Sequence, residues 1–190
     1  NESGMNIVVP DEKAQAEKAT LIGEIYRNDY DSAQTREQKL KFARKLLQVG
    51  LDTKNDSTGR FVLLRIARDI AIEQRESKTA MRAIDAINET FEIDALQMKA
   101  SSLTSIASEI RMTREHQHLA AQLISVIDQC IESDRYLIAL PLAEMAVKAA
   151  LKARDNSLRL EANARQVELL ALNRAYELIA DSIETLAIHA

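Results

Sequence analysis

The chain has no tryptophan, one cysteine, two prolines and four glycines in 190 residues. So little glycine and proline leaves few points where a helix must break, and little material for a phosphate-cradling loop or a nucleophile elbow. The lone Cys130 excludes an intrachain disulfide framework and a multi-cysteine zinc site. Aromatics make up only 4% of residues, and Ala, Leu and Ile dominate instead, a balance that favours closely packed helices over strands. No apolar run approaches the ~20 residues that span a bilayer. The opening NESGMNIVVP lacks a basic region and a long apolar stretch, so no signal peptide is expected. Excess charge of one sign is missing too. The net charge of -4 comes from 25 basic and 29 acidic residues mixed along the chain, which argues against a general nucleic-acid binder. The most basic stretch, Arg36, Lys39, Lys41, Arg44 and Lys45, lies mostly opposite the leucine stripe of its own helix and reads as a solvated face.

What the chain does have is helical periodicity nearly throughout. Residues 1–10 read as an extended lead-in ending at Pro10, and residues 11–190 as a single all-α, repeat-like domain of about eight helices. Asp11 and Glu12 open the first helix, with Leu21, Ile22 and Ile25 expected to face inward and a polar connector over 27–34. Thr35 and Gln38 have the spacing of a capping box for the second, whose stripe is Leu40, Ala43, Leu46, Leu47 and Leu51. A polar loop over 53–59 precedes the third helix, where Phe61, Val62, Leu63, Leu64, Ile66, Ala67, Ile70, Ala71 and Ile72 cover most sides. A helix apolar all round belongs among its neighbours, so this one is expected at the centre of the N-terminal half. Further helices are expected from Ser77 to Phe91, from the Asp94–Gln97 cap, from Thr113, from about Ser133 with Pro141 inside it, and from Asn156 to near the end.

One short pattern recurs, as Leu40-Lys41-Phe42-Ala43, Leu64-Arg65-Ile66-Ala67 and Leu140-Pro141-Leu142-Ala143, at spacings that fit no single period. The architecture expected is therefore a tetratricopeptide-like array of antiparallel helical hairpins, without the full tetratricopeptide signature.

The residue types that carry chemistry are sparse. His116 and His118 are two apart on a helix and point about 200° from each other, so they cannot share an ion, and His189 lies near the C-terminus. Cys130 continues the stripe of Leu119, Leu123, Val126 and Ile127 and reads as a small core residue. No metal, cofactor or catalytic residue is expected. Arg65, Arg68 and Asp69 stand out because they interrupt the most apolar helix, where a charge must pair or reach solvent. With Asp85 and Glu89 as partners they form either a structural ion-pair network or a polar site on the wall of a groove.

The run Asn55-Asp56-Ser57-Thr58-Gly59-Arg60-Phe61-Val62-Leu63-Leu64-Arg65-Ile66-Ala67-Arg68-Asp69 resembles a signature of planctomycete helical-repeat proteins. So do Ala83-Ile84-Asp85, the Phe91–Leu96 junction, and Asp134-Arg135-Tyr136 with the alanine-rich helix after it. The resemblance spans about residues 8–180 and departs from the family pattern at Pro141 and at Ser57-Thr58. It implies a tetratricopeptide-like segment of a large, exported or cell-envelope protein, cut within its last helix, with a non-catalytic binding or spacing role; a cytoplasmic location stays open. It carries over no catalytic residue. Three functions follow as expectations: a scaffold for protein or peptide partners, a spacer or self-association module that forms a homodimer, and an enzyme or small-ligand protein with an unrecognised pocket. Apolar residues exposed on the last helix would favour the second.

Overall fold

The computed structural model describes residues 7–188. Helix accounts for 83% of the described residues, and the all-α array expected from periodicity is the observed fold class. The described residues form nine helices: α1 (Glu12–Ile25), α2 (Arg27–Ser32), α3 (Arg36–Asp52), α4 (Ser57–Glu73), α5 (Ser77–Asn88), α6 (Ala95–Glu109), α7 (Thr113–Glu132), α8 (Tyr136–Ala153) and α9 (Asn156–Ile188). The chain divides after Glu109 into two compact units, where the sequence reading draws one domain over 11–190.

In the first unit α4 is the central helix, packed against α1, α3, α5 and α6. Eight of its residues are buried, from Gly59 and Phe61 to Ile70 and Ala71, which is why its apolar residues run round most of its circumference. Its closest neighbour is α3. A Cβ added at Gly50 would come within 2.8 Å of the Leu64 side chain, so glycine there lets the two backbones approach. The capping box that opens α3 is formed as the sequence indicates, with the Gln38 amide donating to Thr35 Oγ1 at 3.2 Å and the Thr35 amide to Gln38 Oε1 at 2.9 Å.

Three local expectations are corrected in this unit. The 27–34 connector contains the short helix α2, which brings Tyr26 and Tyr30, one turn apart, onto the ring of Phe42 at 6.1 and 6.2 Å between centroids. Leu21 and Ile25 do not face inward but are 51% and 72% exposed. The first helix buries Ile22 and seats Ala19 beside it and Tyr26 beyond its end, a narrow stripe rotated away from both residues. The third correction is the end of α5, at Asn88 rather than Phe91. The next residues leave the helix to meet the lead-in: the Ile7 amide donates to the Thr90 carbonyl at 2.7 Å and the Glu92 amide to the Ile7 carbonyl at 2.9 Å. Phe91 is thereby fully buried, edge-on to Phe61 at 5.1 Å.

The second unit is the three-helix set α7, α8 and α9, in which α9 packs against both of the others. Leu119, Leu123 and Ile127 from α7 meet an alanine-rich α8, where Ala139, Ala143, Ala146 and Ala150 are buried. Alanine at these positions brings the helices close without large rings. Cys130 ends the α7 stripe as a buried core residue, as its position in the sequence indicates. The α8 helix runs through Pro141, which occupies an exposed position, and stops at Arg154 with φ 54, in the left-handed region. Asp155 then opens α9, accepting from the Leu158 amide at 3.1 Å and from Gln117 of α7 at 3.0 Å.

Candidate interaction surface

The five charged residues singled out in the sequence all lie in the first unit, in separate small networks. Arg65 donates to Gln15 Oε1 of α1 at 2.7 Å. Arg68 is largely buried, with 18% of its side chain exposed, and pairs with its neighbour Asp69 at 2.6 Å while a second guanidinium nitrogen lies 3.1 Å from Met98 Sδ. Asp85 belongs to a different pair. Its carboxylate meets Lys99 at 2.5 Å, and the Lys99 side chain is only 7% exposed. Glu89 is the exposed C-cap residue of α5. The structure thus joins Arg68 to Asp69 and leaves Asp85 and Glu89 apart from that pair.

Lys99 is the residue that sequence reasoning missed. It follows Met98 on a helix whose buried positions are otherwise Ala100, Ser102, Leu103 and Ile106, and a lysine there gives no sign that its head is held by a carboxylate one helix away. A largely desolvated ammonium requires such a partner.

The second unit carries a different kind of surface. The inner face of α9 buries Ala162, Leu169 and Asn173. Arg165 fastens that face to α7, donating to Asp128 at 2.5 Å and to Glu168 at 3.0 Å; the Asp128 hydrogen bond, followed by its charge, holds the guanidinium above its ordinary pKa. The opposite face is apolar as well. Leu160, Val167 and Leu178 are 67%, 68% and 68% exposed, and Ala164 and Ala171 are exposed between them. At about 100° per residue these five fall on one line along the helix. Arg174 is the one charged side chain in the line, and Leu170 flanks it.

Clefts occur in both units. One of about 280 Å³ lies between the start of α8 and α9, where Tyr136 donates to Asp134 Oδ1 at 2.5 Å and stands edge-on to Tyr176 at 5.6 Å. That hydrogen bond, ahead of burial, raises the Tyr136 phenol above its ordinary pKa. Another, about 470 Å³ and open, is lined by Arg111, His116, Lys152 and Arg154. His116 is buried, and burial first, then the charge of Lys152, holds its imidazole below the ordinary value. Among the described residues no group of three His, Cys, Asp or Glu side chains is placed to hold a metal ion, and no helix is long and apolar enough to cross a membrane. His189 lies outside the described residues.

No protein-family model, no curated protein and no solved structure matches the chain.

Proposed function

We propose that this chain is a non-catalytic, tetratricopeptide-like helical module for protein association through the outer face of α9, whose exposed apolar residues favour self-association, the second of the three expected functions, over a scaffold for other proteins. The observation that carries this reading is the line of exposed Leu160, Val167 and Leu178. A line of exposed apolar side chains of this kind marks an association surface. The resemblance to planctomycete helical-repeat regions points to the same non-catalytic role. The alternative surface, the groove wall around Arg68, is supported less well, because Arg68, Asp69, Asp85 and Lys99 already satisfy one another within the unit.

Affinity capture from lysate and cell-envelope fractions tests the reading, with the wild-type chain and Val167→Glu as parallel baits. Val167 is exposed on a helix, where glutamate is the better helix former, so the variant folds. The expected result is a set of captured proteins that Val167→Glu loses. Capture unchanged by Val167→Glu but lost on charge reversal of Arg68 would move the surface to the first unit and overturn the α9 assignment.

A further inference from the structure

The open cleft of about 470 Å³ in the second unit is lined by Ile110, Arg111, His116, Leu151, Lys152 and Arg154. The segment 110–112 that leads into α7, the first turn of α7 and the C-terminal end of α8 bring three cations and a histidine to one opening. None of these residues belongs to the exposed line on α9.

The three cationic heads are unanswered inside the protein. Among the described residues, the side chains of Arg111, Lys152 and Arg154 make no hydrogen bond and no ion pair, whereas Arg75, Lys99 and Arg165 each meet a carboxylate. The acids that adjoin the cleft in sequence are turned onto other groups. Glu115 accepts from the Arg111 and Met112 amides at 3.3 and 3.2 Å, and Asp155 from the Leu158 amide and Gln117. Arg154 is the plainest case. Arg75, Asp134 and Arg154 are the non-glycine residues with a left-handed backbone among those described. Arg75 pairs with Glu109 and Asp134 accepts from Tyr136, but the Arg154 side chain has no such partner. That backbone favours glycine, so nothing in the fold calls for an arginine there.

His116 is an independent sign. It is 6% exposed, and its Nδ1 is buried without a hydrogen-bond partner among the described residues. A buried polar atom of this kind needs a partner from outside the protein. Basic side chains at a helix C-terminus also suit the helix dipole. That accounts for Lys152 in the last turn of α8, but not for Arg111 or the imidazole.

We infer that this cleft binds a phosphate group. Two guanidinium forks and an ammonium around one opening suit a doubly charged oxyanion, which arginine can hold through paired N–H donors. The positive charge is local. It fills one cleft on a chain of net charge -4 rather than running as a stripe, which fits a single phosphate group and not a nucleic-acid backbone. Leu151 lines the same cleft and is 65% exposed, so an apolar body carrying the phosphate has a surface to lie against.

Titration of the intact chain with inorganic phosphate and with phenyl phosphate, at constant ionic strength and followed by heteronuclear NMR, tests this. Both should bind with a dissociation constant of about 1 mM or tighter. The amides of residues 110–116 and 152–155 should shift, as should the ring resonances of His116. The ring of exposed His118, two residues on and turned away, should not. Lys152→Ala and Arg154→Gly should each weaken binding at least about fivefold. Both positions are exposed, and glycine suits the backbone at 154, so both variants fold. Arg114→Ala removes an exposed cation of α7 that lies outside the cleft and should leave binding unchanged. Tighter binding of phenyl phosphate assigns an organic phosphate as the ligand, and equal binding assigns free phosphate. No shift in those residues with either probe up to about 10 mM overturns the inference. So does a loss on Arg114→Ala as large as that on Arg154→Gly, because binding would then follow the charge of the whole surface and not this cleft.

Discussion

Leu64 has no exposed surface and sits where Gly50 lets α3 come closest to α4. A carboxylate there would be buried without a partner, so Leu64→Asp should cost more than ~3 kcal/mol or prevent folding. Chemical denaturation followed by circular dichroism checks it, and a fully helical Leu64→Asp protein with a near-normal midpoint would contradict the central position of α4. Leu64 is legible in the sequence because its burial is announced by its neighbours: a run apolar on most sides leaves no solvent face for it. Lys99 is not legible. Its burial depends on Asp85, 14 positions earlier on another helix, and no local pattern encodes a contact between helices. Arg68 falls between the two. That it must pair follows from its apolar surroundings, but its partner is the adjacent Asp69 rather than Asp85 or Glu89.

Helix boundaries are clearest in the sequence where a side chain closes on its own backbone. Thr35 and Gln38, three residues apart, are enough to place the start of α3, because the capping box is a local structure. The start of α4 comes earlier than the polar composition of 53–59 indicates. Its N-cap is Asp56, inside that stretch, and the carboxylate accepts from the Gly59 amide at 2.8 Å while Lys18 of α1 donates to it at 2.8 Å. Those two hydrogen bonds, Lys18 first and Gly59 second, hold the Asp56 carboxyl below its ordinary value of 3.8. Asp56→Ala should therefore cost about 1 kcal/mol at neutral pH. Because the folded pKa is depressed, that contribution is present above the ordinary value and is lost as the pH falls through the folded one. Denaturant midpoints of the wild type and Asp56→Ala should converge in acid; a gap that persists unchanged there would show that the cap does not act through its charge. The short α2 helix and the outward Leu21 and Ile25 escape a sequence reading because they depend on tertiary contact. The rings of Tyr26 and Tyr30 on Phe42 hold α2, and the angle at which α1 lies on its neighbours sets which of its residues are covered.

For the molecule as a whole, an all-α array follows from composition and period, since 83% helix among the described residues is what scarce glycine and proline with continuous 3.6-residue patterning produce. The division after Glu109 is not legible, because the apolar period continues on both sides of it. Nor is the proposed association surface. Periodicity marks Leu160, Val167 and Leu178 as one face of α9 but cannot tell that Ala162 and Leu169, on the opposite face, are the ones the unit buries. With the inner face so occupied, the outer line has no role inside the unit, and the proposed association would give it one. The most direct test of that claim is amide hydrogen exchange of the intact chain at low and high protein concentration. Slowed exchange at high concentration confined to residues 160–178, with α4 unchanged, is the predicted result. Exchange over 160–178 that is independent of concentration, or slowing that appears instead along the Arg65–Asp85 region of the first unit, would contradict it.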